Sequence, residues 1–176
     1  GVEKRGIFLD QQDYAVWQSY IQTYLLPKDI KTLTAILTSE STTTREKEKA
    51  RRLLQLNNFS DTIRLHAYCL MSNHLHLLVW QSQAESIDQF MNSLGTRYTM
   101  YFNKKYKRVG PLFQGVYKAV RVTSDEQLLY LTKYIHLNPD PDEGKLFISY
   151  PYSSYGVYRG RVNLKWVESK IILDIV

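Results

Sequence analysis

An α+β fold in a single domain is what this sequence predicts, and three observations carry the prediction. Apolar residues recur at three- and four-residue steps in several separate stretches, as amphipathic helices require. Two short apolar runs rich in β-formers, 63–71 and 75–80, are joined through Ser72-Asn73 and read as a hairpin of two strands. A length of 176 residues with 44% hydrophobic content is enough for one buried core and asks for no second domain.

Within residues 10–25, Tyr14, Trp17, Ile21 and Tyr24 mark one helical face, with Asp10 as N-cap and Pro27 beyond the end. Residues 27–60 form an inserted helical link. Its stretch 38–44 is too polar and β-branched to carry a core face and reads as a loop, and 46–56 reads as a helix. The charges from Arg45 to Arg52 alternate in sign, the usual mark of a solvated face. After the hairpin, Ile87, Phe90, Met91, Leu94, Tyr98 and Tyr101 give residues 85–106 a wide apolar stripe that ends in the basic cluster Lys104, Lys105, Lys107 and Arg108. Gly110-Pro111 breaks the chain, and 112–122 alternates and is rich in valine and aromatics, so a strand is expected there. Ser124 and Gln127 form a capping box for a helix over 125–137, which Pro139 and Pro141 end. An aromatic and basic tail occupies 150–176, with a last amphipathic segment over 166–176, and no internal repeat is visible.

Composition narrows the partners. The net charge of +6 favours a polyanion, and 14 tyrosines supply flat faces with a polar tip on which unpaired bases can stack. No apolar run is long enough for a membrane span and no signal peptide is visible, so a cytoplasmic protein is expected. The lone Cys69 cannot form an internal disulfide or a multi-thiolate zinc site, and reads as a small buried apolar residue.

His74 and His76 are two apart in a strand, so they project from the same face and can meet one ligand; a pair of hydrogen-bonded histidines at a strand edge is the other reading. Tyr130, Tyr134 and Asn138 are spaced by four and line one face of the 125–137 helix, although core aromatics and a helix-ending Asn would leave the same pattern. Taken together these residues fit phosphodiester cleavage. That chemistry needs an in-line nucleophile and positive charge for the pentacoordinate transition state, and tyrosine, with a reference pKa near ~10, needs a nearby cation to act as a nucleophile. Two imidazoles and an amide oxygen suit Mg²⁺ or Mn²⁺ and leave positions open for phosphate and water.

Ala67-Tyr-Cys-Leu-Met-Ser-Asn-His-Leu-His-Leu-Leu-Val79, followed by Tyr134-Ile-His-Leu-Asn-Pro139, resembles the single-tyrosine HUH transposases. Phe113-Gln-Gly-Val-Tyr-Lys-Ala119 and Tyr98-Thr-Met-Tyr-Phe-Asn-Lys-Lys105 resemble their REP-associated branch in particular, and the likeness runs over roughly residues 1–158. The resemblance implies a ferredoxin-like antiparallel sheet with helices packed on one face, the HUH nuclease fold. It implies His74, His76 and Asn138 as metal ligands, and Tyr134 as the nucleophile that is joined to a DNA 5′ phosphate while a 3′ hydroxyl is freed. The implied substrate is single-stranded DNA beside a hairpin, and the implied protein is a monomer or homodimer. Three departures stand out: Ser72 replaces a proline, the link 27–60 is long, and the family's first strand, ahead of the segment matching Gly1 to Phe8, is expected to be missing from this sequence.

Lys104, Lys105, Lys107, Arg108, Lys118, Arg121 and Lys133 are the phosphate-contact candidates. Tyr150, Tyr152, Tyr155 and Tyr158 are placed between base stacking and C-terminal packing, with packing expected for at least half of them, and His136 should point away from the site. Tyr130 is the rival nucleophile. Two other functions fit the same residues: a protein that binds DNA or RNA hairpins without cutting them, and a metal-dependent hydrolase that activates water on the two histidines.

Overall fold

The computed structural model describes residues 1–139 and 146–175. Helix α1 spans Gln11–Leu25, α2 Ile30–Thr38 and α3 Thr44–Gln55; strands β1 (Ile63–Leu70) and β2 (Leu75–Gln81) follow, then α4 (Ser86–Tyr106) and α5 (Asp125–Leu137). Short helices α6 (Leu146–Ser149), α7 (Tyr155–Tyr158) and α8 (Lys170–Leu173) complete the chain. The architecture is α+β, built on an antiparallel pair of strands.

β1 and β2 pair from Ile63 opposite Gln81 to Leu70 opposite Leu75, with a bulge between Leu65 and Ala67. The bulge shifts the alternation, so Ile63, Leu65, Tyr68 and Leu70 serve one core cluster and Ala67 and Cys69 the other. The first cluster takes Trp17, Ile21 and Tyr24 of α1 and Phe90, Leu94, Tyr98 and Phe102 of α4, which are spaced to face the strands. The second takes Ile135, Leu128 and Leu129 of α5 with Leu78 of β2. The two long helices α1 and α4 thus share one face, as expected, while α5 lies against the opposite one, towards which the even-numbered residues of β2 point. Cys69 is fully buried there, and burial pushes its thiol up to about 12.

Residues 152–154 lie along the outer edge of β1: Leu70 N donates to Tyr152 O and Ser154 N to Tyr68 O. Among the described residues nothing pairs with the outer edge of β2. The strand expected over 112–122 does not form. β-propensity counts only when a neighbouring strand offers a ladder, and here none does; Gly110 and Gly115 take positive φ, and Val116 and Val120 stay exposed. Within the link expected to be helical, 30–38 forms a helix despite its β-branched threonines and isoleucines, because the Asp29 side chain caps Thr32 N and the helix packs on α3. The amphipathic segment over 166–176 shortens to the single turn of α8, and residue 176, like Pro141, lies outside the described residues.

α1 and α4 are fastened by a charge cluster. Asp13 is fully buried, and its carboxylate accepts from Leu9 N, from Tyr101 and Tyr106 hydroxyls, and from Lys105 Nζ at 2.8 Å. Lys105 Nζ also meets both oxygens of Asp10 at 2.7 Å.

Candidate active site

The hairpin turn sets the first half of the site. Ile7 N and Phe8 N both donate to Ser72 O, which holds the N-terminal segment against the turn and brings Lys4 beside Asn73. Asn73 Nδ2 donates to Lys4 O at 3.3 Å, and its Oδ1 lies 2.6 Å from His74 Nδ1. A carbonyl can only accept, so the amide nitrogen must face Lys4 and the amide oxygen His74; Nδ1 of His74 therefore carries the proton and Nε2 keeps its lone pair. Sequence reasoning saw Asn73 only as a turn residue, because its partner is 69 residues away along the chain.

His76 stands in the middle. Its ring centroid is 5.0 Å from that of His74 and 5.8 Å from that of Tyr134, with perpendicular geometry on both sides. Burial, seconded by electrostatic repulsion from the neighbouring His74 ring, disfavours the protonated form of its imidazole and holds it below the usual range, and the Asn138 amide acts in the opposite direction. Its Nε2 is buried and meets no hydrogen-bond partner. A buried imidazole nitrogen without a partner is costly, whether it carries the proton or the lone pair.

α5 supplies the other half, over the 125–137 bounds that the sequence predicts. Ser124 Oγ accepts from Gln127 N, but Gln127 Oε1 reaches back to Thr123 N rather than to Ser124. The Tyr134 ring is half-exposed, at 48%, next to the imidazole pair; Tyr130 stacks on it from the outer side, with centroids 6.5 Å apart and 67% exposure. Asn138 is half-buried at the end of the same helix face. His74, His76, Tyr134 and Asn138 thus converge within one chain. Among the described residues no three His, Cys, Asp or Glu side chains form a group that could hold a metal ion; the side chains in this group that could offer a cation nitrogen or oxygen are those of His74, His76 and Asn138.

The family model described as Transposase IS200 like matches residues 28–138, more than half of the chain, and its match contains both histidines, Tyr134 and Asn138. The chain belongs to the IS200-like transposase family. Comparisons with curated proteins and with solved structures find no match. As an IS200-like transposase it is a DNA-binding, DNA-cleaving enzyme by family, and among the described residues no helix is long and apolar enough to cross a membrane.

The remaining residues of this transposase divide clearly. Lys104, Lys107, Lys118, Arg121 and Lys133 are exposed, Lys133 immediately beside Tyr134. Lys105 is only 21% exposed and is held by Asp10 and Asp13, so its ammonium is committed to the fold rather than free for phosphate. Arg108 is half-buried over the Phe102 ring and donates to Asn103 Oδ1. All four C-terminal tyrosines pack: Tyr150 donates to Leu70 O, Tyr152 stacks on Tyr14, Tyr155 meets His136 and Phe147, and Tyr158 donates to His66 O. His136 faces away from the site as expected; it is buried against Ser154 Oγ at 2.7 Å, and burial pushes its imidazole down to about 4.

Proposed function

We propose that this transposase is a metal-dependent single-stranded-DNA endonuclease and strand transferase that cuts near DNA hairpins through a covalent 5′-phosphotyrosine on Tyr134. The observation that supports this most directly is the His76 ring between those of His74 and Tyr134. Motifs 98–105 and 113–119 favour the REP-associated branch of the family.

His74, His76 and Asn138 would hold Mg²⁺ or Mn²⁺, and the orphaned buried Nε2 of His76 fits that use. When bound, such a cation polarises phosphorus and offsets the charge that builds on the phosphate oxygens. Tyr134 Oη attacks the phosphorus; the Oη–P bond forms, the P–O3′ bond breaks, the phenolic proton passes to water, and the departing 3′ oxygen takes up a proton to become a hydroxyl. Attack by a 3′ hydroxyl on the phosphotyrosine reverses every bond change and rejoins strands, so no nucleotide cofactor is needed. The half-exposure of Tyr134 lets a strand reach it, and Lys133, Lys104, Lys107, Arg108, Lys118 and Arg121 are the phosphate contacts, with Lys105 acting through the fold.

The test is a denaturation-resistant protein–DNA adduct, formed with a panel of single-stranded hairpins and Mn²⁺. Tyr134→Phe should abolish the adduct and Tyr130→Phe should retain it. Cleavage without any adduct would point to water as nucleophile, and tight binding without cleavage to a lapsed hairpin-binding protein; either result would overturn the proposal.

A further inference from the structure

The chain has 14 tyrosines, 6 phenylalanines and 3 tryptophans, yet among the described residues only Trp80, Tyr130 and Tyr134 keep their rings exposed. All three lie on one side of the strand pair. His76, Leu78 and Trp80 alternate onto the face of β2 that α5 covers, and Tyr130 and Tyr134 sit four residues apart on α5 itself. The opposite side, under α1 and α4, keeps its aromatic rings buried or half-buried.

Two of the three exposed rings are already engaged. Trp80 has the Arg64 guanidinium 5.5 Å from its ring centroid, and Tyr134 is the nucleophile of the reading above. Tyr130 is 67% exposed, and among the described residues its hydroxyl meets no hydrogen-bond partner. Its ring lies 17° from parallel with that of Tyr134, with 6.5 Å between centroids, so at most one of its faces is covered. At an exposed helix position Lys, Glu or Gln favours the helix more than Tyr does, so the fold supplies no reason for an aromatic ring there.

The chemistry of the cut supplies one. Attacking and departing oxygens lie in line across the phosphorus, so with Tyr134 Oη on one side the nucleotide that leaves through O3′ extends away from α5. The nucleotide that keeps the phosphate is joined through O5′, which points sideways, and after the attack it is tied to Tyr134. We propose that the Tyr130 ring stacks on the unpaired base of this retained nucleotide, an inference that rests on the nuclease reading above. Every base has a flat π-face, so the contact tolerates any sequence at that position. Gripped at both its phosphate and its base, the retained strand stays oriented while one 3′ hydroxyl departs and another arrives, as rejoining requires.

The experiment uses the oligonucleotide of the hairpin panel that gives the adduct, with the retained nucleotide identified by sequencing the DNA left on the protein. A second version carries an abasic site at that nucleotide. The rate of adduct formation with Mn²⁺ at sub-saturating DNA is measured for the wild-type chain, Tyr130→Ala and Tyr130→Phe. On the intact oligonucleotide Tyr130→Ala should be about 10-fold slower, while Tyr130→Phe, which keeps the ring, should stay close to wild type. The abasic site should slow the wild type by a similar factor and Tyr130→Ala no further, because ring and base act through the same contact. Equal slowing of Tyr130→Ala on both oligonucleotides would overturn the proposal and show that Tyr130 only props the Tyr134 ring. Slowing of Tyr130→Phe as large as that of Tyr130→Ala would overturn it in favour of a role for the hydroxyl. An unchanged rate in Tyr130→Ala would overturn the stacking contact and leave the chemistry of Tyr134 standing, whereas a wild-type chain that forms no adduct with any oligonucleotide would overturn the nuclease reading and the contact with it.

Discussion

An imidazole binds a cation only through a lone pair, and in His74 the hydrogen bond at Nδ1 decides which nitrogen keeps one. Asn73 makes that choice because its own amide is oriented by the Lys4 carbonyl. Replacing Asn73 with Ala frees the ring to rotate and to change tautomer. Isothermal titration of Mn²⁺ should then show affinity weakened roughly 10–100-fold, whereas Asn73→Asp, which keeps an acceptor at the same place, should bind at least as tightly as wild type. Equal affinity in Asn73→Ala would mean that something other than this hydrogen bond orients the ring. The four residues of the site itself are legible in the sequence, because a step of two on a strand and steps of four on a helix fix which side chains share a face. Asn73 is not, since its role depends on a backbone carbonyl that only the folded N-terminal segment brings alongside.

At the scale of elements, local signals suffice where each element satisfies its own backbone. α5 starts at a Ser cap and ends before a proline, and both limits can be read directly. The stretch 112–122 differs because a strand needs a partner, and alternating valines do not reveal whether one is present. The tie between α1 and α4 is also hidden in the sequence: Asp13 looks like a first-turn helix acid, yet it is the buried hub of five hydrogen bonds from backbone, phenols and ammonium. Burial alone pushes its carboxyl up, but the Lys105 ammonium and the hydrogen bonds from Leu9, Tyr106 and Tyr101 outweigh that and hold it below the usual range. A carboxyl with a depressed native pKa stabilises the fold above its unfolded value near ~4 and loses that stabilisation as pH falls through the native value. Asp13→Asn should therefore lower stability at neutral pH by about 3 kcal/mol in urea unfolding, and its stability should fall less steeply than that of wild type below about pH 4. A loss under about 0.5 kcal/mol would show that Asp10 alone holds Lys105 and the two helices together.

At the scale of the whole molecule, the arrangement of the strand pair decides how many chains an active site needs. The hairpin places His76 on the face that α5 covers, and α5 of the same chain carries Tyr134 to within 5.8 Å of it, ring centroid to ring centroid. A tyrosine helix exchanged between subunits would instead leave each chain's own phenol remote from its own imidazoles. The two arrangements give opposite results when inactive variants are mixed. Combining His76→Ala with Tyr134→Phe should form no covalent DNA adduct at any mixing ratio, because each chain keeps only half of a site that is completed internally. The wild-type adduct yield per chain should likewise stay constant as the protein is diluted. Recovery of about a quarter of wild-type adduct sites in an equal mixture would demonstrate exchange of α5 between partners, since random pairing makes half of the dimers mixed and each mixed dimer rebuilds one of its two sites.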